Sequence, residues 1–182
     1  LSGIEIVATE HSHAAAEMAV EMARLGQVEA LMKGSLHTDE LMAAIVPSTT
    51  GLRTERRISH VFVMDVPTYP RLLFVTDAAV NIFPTLDDKV DIVQNAIDLA
   101  RTLGIEKPKV AVLSALEMVT SKIESTLHAA ALCKMADRGQ ITGGEIDGPL
   151  AFDNAISVHA AKAKKIDSSV AGRADILLVP DL

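Results

Sequence analysis

The chain has 182 residues and a mass of 19.3 kDa, enough for one large domain or two small ones around a sizeable core. Apolar residues make up 49%, which excludes a disordered or low-complexity chain. The 17 Lys and Arg against 24 Asp and Glu leave a net charge of −7, which excludes a general nucleic-acid binder because phosphate attraction dominates such affinity.

No apolar run approaches the length of a membrane span. One cysteine, Cys133, excludes an intrachain disulfide, and a reducing, cytoplasmic setting is expected. Aromatic residues are only 3%, so the core is built from Ala, Val, Ile, Leu and Met, and base stacking is not expected. The chain starts at Leu1 without methionine and stops at Leu182 just past an apolar strand; it reads as a piece of a longer protein.

In chain order, Ile4 to Val7 reads as a strand. Ala15, Met18, Met22 and Leu25 fall on one helical face. Ala30 to Met32 is a short strand candidate, followed by Lys33-Gly34-Ser35 and a helix from Thr38 to Val46. Residues 47–51 are a polar linker with a breaker at each end. Ile58 to Val66 and Leu72 to Thr76 flank a turn containing Pro67 and Pro70 and read as an antiparallel hairpin. Leu86, Val90, Val93, Ile97, Ala100 and Leu103 form the apolar stripe of the next helix, capped by Thr85 and ended by Gly104.

Val110 to Leu113 is a buried strand, Ser121 to Arg138 a helix closed by Gly139, and 144–147 a short strand. Asn154 to Lys165 is helical and Ile176 to Val179 is the final strand. Alternating strands and helices with short connections imply parallel strands in a layered α/β fold, and the hairpin makes the sheet mixed.

Ligands of open α/β sheets gather at the carboxyl ends of strands. Those ends are Lys33-Gly34-Ser35, Asp77 to Asn81, Ser114-Ala115, Asp147-Gly148-Pro149 and Pro180-Asp181. Gly34-Ser35 precedes a helix, where free amides attract anions and Ser35 and Thr38 add hydroxyls; ordinary turn-and-cap chemistry explains the same residues. Arg53 follows Gly51-Leu52 beside the linker and is an anion candidate, whereas Arg56 and Arg57 read as a solvated charge run partnered by Glu55. His11 and His13 have no companions at metal-ligand spacing. His128 and Cys133 lie on diverging faces of one helix, so Cys133 reads as a core residue rather than a nucleophile. Composition and spacing reach an α/β domain with a candidate anion site, and no further.

Five blocks in order carry a resemblance over essentially the whole chain. They are Lys33-Gly34-Ser35-Leu36-His37-Thr38, Gly51-Leu52-Arg53-Thr54, the run from Val75 to Asn81, the run from Asp147 to Ala155 and the run from Ala171 to Pro180. The chain resembles the phosphate acetyl/butyryl transferases, which move an acyl group between coenzyme A and phosphate. The second and fourth blocks are most similar to the butyryl-type branch, in the form fused to a MaoC-type hydratase domain.

The resemblance implies two three-layer α/β/α domains around a cleft, similar to isocitrate and isopropylmalate dehydrogenases. Residues 1–47 would belong to a discontinuous first domain and 48–182 to the second. It implies acyl-CoA and phosphate as substrates, no permanently bound cofactor, no nucleic-acid or membrane partner, and a homodimer or larger assembly. Gly34, Ser35 and Thr38 would hold phosphate, Arg53 and Thr54 would assist, and Asp77, Asn81 and Asp147 would line the cleft. The family's reacting Ser-Arg pair and aspartate have no match: the chain contains no Ser-Arg dipeptide, and Gly172-Arg173-Ala174-Asp175 belongs to a different block. Those catalytic residues are expected beyond Leu182. Acetyl-type members also carry an arginine where this chain reads Leu41-Met42-Ala43-Ala44; Arg53 is the candidate replacement. Two alternatives stay open. One is a metal- and NAD-dependent dehydrogenase on the same fold, with Asp147 and Asp153 as the nearest approach to a ligand cluster. The other is a non-catalytic acyl-CoA or phosphate-binding module.

Overall fold

A computed structural model describes residues 3–182. The chain divides into two compact units between Arg56 and Arg57. Within the first unit Gly51 N–H donates to the Pro47 carbonyl at 3.0 Å and Leu52 N–H to the Ile45 carbonyl at 2.8 Å, tying the linker over 47–51 back to the preceding helix. A Cβ at Gly51 would stand 2.1 Å from the Ile45 oxygen, so only glycine permits this fold-back.

The first unit contains α1 (Ser12–Arg24) and α2 (Thr38–Ile45). His11 caps α1, its Nδ1 accepting from Ala14 N–H at 3.1 Å. Ser12 Oγ donates to Glu40 Oε1 across the helix pair at 3.1 Å. The buried positions of α1 are Ala16 and Val20, while Met18 and Leu25 of the expected stripe are exposed. The segments 4–7 and 30–32 are not strands, and Met32 is 97% exposed. An extended segment needs a neighbour to satisfy its N–H and C=O groups, and among the described residues this unit offers none.

The second unit contains β1 (Phe62–Met64), β2 (Leu73–Thr76), α3 (Leu86–Thr102), β3 (Lys109–Leu113), α4 (Glu124–Asp137), β4 (Glu145–Leu150), α5 (Phe152–Ile156), α6 (Val158–Ala163) and β5 (Ile176–Leu178). Its sheet runs β1-β2-β5-β3-β4. β1 is antiparallel to β2, and the other pairings are parallel, which is the mixed sheet expected. Strand alternation divides the apolar side chains between two layers. Phe74, Val110, Val112, Ile176 and Leu178 pack under α3 and α4 with Ile92, Val93, Ile97 and Leu132. Leu73, Ala111, Leu150 and Leu177 pack on the opposite face with Ala155 and Ala161 of α5 and α6. This unit is therefore a three-layer α/β/α sandwich.

Three elements differ from expectation for identifiable reasons. β1 is shorter than 58–66 because side chains of α3 and the β2 loop hold the residues before it. Asn95 Nδ2 donates to the Arg57 carbonyl at 2.9 Å and to Ser59 Oγ at 3.0 Å, and His60 N–H donates to Asp77 Oδ2 at 3.2 Å. α4 starts at Glu124 because the buried Thr126 hydroxyl closes a turn over 120–123, accepting from Thr120 N–H at 2.9 Å. The helix expected over 154–165 breaks at Ser157, whose Oγ accepts from Ala160 N–H at 3.3 Å and so caps α6. No described helix is long and apolar enough to cross a membrane.

Candidate functional site

Four parallel strands of the second unit end at one edge, followed by Asp77, Ser114, Ala151 and Val179-Pro180. The loop after β2 is organised by Asp77, which is 1% exposed. Its Oδ1 accepts from Ala79 N–H at 3.0 Å and Val80 N–H at 2.9 Å, and its Oδ2 from Asn81 Nδ2 at 2.5 Å. Burial alone would raise this carboxyl's pKa, but the hydrogen bonds from Val80, Asn81, Ala79 and His60 outweigh it and hold the group below its ordinary value. Arg57 donates to Asn81 Oδ1 through Nε and pairs with Asp88 Oδ1 at 3.1 Å. Its partners are thus Asn81 and Asp88 rather than Glu55, because the chain turns at 57 to lie along α3.

The expected site residues separate into groups. Asp77 and Asn81 meet. Asp147 lies in β4, three strands away in the sheet order, roughly 14 Å at strand spacing, with its Oδ1 accepting from Gly148 N–H at 2.8 Å. Asp153 Oδ1 lies 3.6 Å from Lys164 Nζ, and among the described residues no three His, Cys, Asp or Glu side chains gather as a metal site. In the first unit, Thr38 opens α2, whose N-cap His37 makes no side-chain cap. Ser35, Arg53 and Arg56 are exposed, and Arg56 N–H donates to Thr54 Oγ1 at 3.2 Å. A side chain on Gly34 would meet nothing within 4 Å, and its φ is not positive, so the packing of this unit does not itself require glycine there.

A second constellation at the same strand edge was missed from the sequence. Lys89 is 4% exposed on α3, and its Nζ lies 3.1 Å from His128 Nδ1 on α4. They face a cavity of about 410 Å³ walled by Phe83–Leu86, Ile123–Ser125 and Pro180–Asp181. Ser125 Oγ lies 2.8 Å from Ser114 Oγ at the end of β3. Burial lowers the Lys89 pKa, with Asp181 and Glu124 acting against it; burial and the Lys89 charge lower that of His128. The available signal was position: Lys89 sits three residues after Leu86 and four before Val93, within the apolar stripe. Cys133 is a core thiol, donating to the Gly148 carbonyl at 3.7 Å and pushed up to about 11 chiefly by burial.

Comparison with known proteins places these features in a family. The family model described as "Phosphate acetyl/butaryl transferase" matches residues 3–182. A phosphate acetyltransferase of Rhizobium meliloti is 66% identical over 178 residues, covering 98% of this chain and 56% of that protein. A phosphate butyryltransferase of Clostridium acetobutylicum is 44% identical over 182 residues, covering 100% of this chain and 60% of that protein. The chain thus spans little more than half the length of these relatives. Among solved structures, a branched-chain phosphotransacylase from Enterococcus faecalis V583 superposes with a TM-score of 0.86 at 33% identity, covering 96% of this chain and 62% of that one. The chain belongs to the phosphate acetyl/butyryl transferase family.

Proposed function

We propose that the protein carrying this chain is a phosphate acyltransferase of the acetyl or butyryl class, catalysing acyl-CoA + phosphate ⇌ CoA + acyl phosphate. The observation that carries the reading is the family match over residues 3–182, with close relatives named for both acyl groups. In the direction of acyl-CoA synthesis the thiol of CoA gives up its proton and its sulfur attacks the carbonyl carbon of the acyl phosphate. The bond from that carbon to the phosphate oxygen then breaks, and the leaving phosphate takes up the proton the thiol gave, departing as the hydrogen phosphate dianion. CoA and phosphate enter as substrates, and no permanently bound cofactor is required.

Gly34, Ser35 and Thr38 are assigned to phosphate, with Arg53 and Thr54 assisting. The support is local: an uncapped start of α2, a glycine that packing does not demand, and exposed hydroxyl and guanidinium donors. Asp77 and Asn81 shape the loop after β2, and Asp147 is assigned to a separate stretch of the substrate-facing surface. The motif blocks also support a two-domain fold of isocitrate dehydrogenase type, with residues 1–47 in a discontinuous first domain and 48–182 in the second. They support a cytoplasmic homodimer or larger assembly and fusion to a MaoC-type hydratase domain. An assay of the intact protein with acetyl-CoA and butyryl-CoA tests the main reading. Phosphate-dependent release of CoA is expected; its absence with every acyl-CoA tried would overturn the assignment.

A further inference from the structure

We propose that the cavity at Lys89 and His128 is a phosphoryl-binding subsite, in which the buried ammonium binds an oxyanion of phosphate or of a phosphate-bearing end of CoA. The inference extends the acyltransferase reading to a group of residues that the motif blocks do not include.

An ammonium taken out of water is costly unless paired. Lys89 is 4% exposed, yet no carboxylate among the described residues comes within ion-pairing distance of it. Its one close partner is His128 Nδ1 at 3.1 Å, a neutral acceptor, which leaves two of its three N–H donors for the cavity. With the ammonium donating to Nδ1, the neutral imidazole carries its proton on Nε2. The ring then presents a further donor, with Glu124 Oε1 at 3.7 Å from it and 83% exposed.

The start of α4 also lines the cavity. Ile123 provides no side-chain cap, and no hydrogen bond is made by the Glu124 or Ser125 amides among the described residues. Fourteen residues of helix direct their dipole toward this end. Ser125 adds a hydroxyl to the lining, its Oγ 2.8 Å from that of Ser114. The cavity is about 410 Å³, ample for a phosphate group and part of its ester. Asp181 at the rim is the opposing charge. It limits affinity for a dianion and favours release, as turnover requires.

The test follows the His128 imidazole signals by NMR while the intact protein is titrated with inorganic phosphate and, separately, with adenosine 3′,5′-bisphosphate. Movement with phosphate assigns the subsite to the reacting group; movement with the bisphosphate alone assigns it to the nucleotide end of CoA. Lys89→Met should weaken the responsive ligand by about ten- to a hundredfold, the loss of one charge-assisted contact, and Lys89→Arg should restore part of it. Asp181→Asn should tighten the same ligand severalfold. His128 signals indifferent to both ligands, or Lys89→Met binding as well as the parent, would overturn the proposal. So would Asp181→Asn unfolding the protein, since Asp181 would then be the structural counter-ion of Lys89. The readout is binding rather than turnover, so an inactive protein with responsive His128 signals overturns the acyltransferase reading alone.

Discussion

Asn81 donates to Asp77 Oδ2 at 2.5 Å, and the same carboxylate holds the Ala79 and Val80 amides, so one buried side chain folds the whole turn after β2. Asp77→Ala would leave the buried Asn81 amide and the backbone donors of His60, Ala79 and Val80 without their acceptor. A loss of at least ~2 kcal/mol of unfolding free energy is expected in urea titration, since each such group costs about 1–3 kcal/mol. Asn81→Ala, which frees fewer partners, should cost less.

Acid stability should report on Glu145. Side-chain hydrogen bonds from Lys107, Lys109 and Ser169 hold its carboxyl down to about 2. A folded pKa below the unfolded one means stabilisation that is fully present above the unfolded value of ~4.3 and lost as pH falls through the folded value. The stability difference between the parent and Glu145→Gln should therefore shrink steadily below about pH 4. A difference that stays constant down to pH 2 would contradict the cluster.

Gly172 has φ +77, and a Cβ there would lie 2.5 Å from the Val158 backbone. The backbone it meets is the start of α6, just after the break at Ser157. Gly172→Ala should destabilise by about 1–3 kcal/mol from overpacking, with backbone strain in addition. Differential scanning calorimetry would show it as a fall in Tm.

Leu177 is buried in β5, the middle strand, against α5 and α6. Leu177→Ala should cost ~2–5 kcal/mol. Val63→Ala, on the half-exposed edge strand β1, should cost ~0.5 kcal/mol or less. Equal losses in urea titration would show that the core is not layered as described.

Much of the second unit was legible because its signals are local. Thr85 caps α3 together with Asp88, and Gly104 ends it at φ +94, as their residue types require. The burial of α3 was less legible: Ile92 and Ala96 are buried while Leu103 is 51% exposed, since the sheet and α4, not periodicity, decide which side faces in. Apolar content marked residues 4–7 and 30–32 as strands, but a strand is a relation between two segments, and that relation has no local signature. Asp77 and Asn81 could be picked out in a single short block. Lys89 and His128 are brought together by packing of α3 on α4, from positions that sequence reading treats as unrelated. Arg57 was misread for the same reason, its partners being far along the chain.

The position of β5 has a consequence during synthesis. It lies between β2 and β3, yet its residues leave the ribosome after both of them. Until 176–178 emerge, β2 and β3 have no common neighbour, and each presents an open row of backbone donors and acceptors. The nascent second unit must wait with a gap at its centre, and completes its sheet in one late insertion. Mutations that slow that insertion would lower the yield of soluble protein even where the finished fold is unharmed.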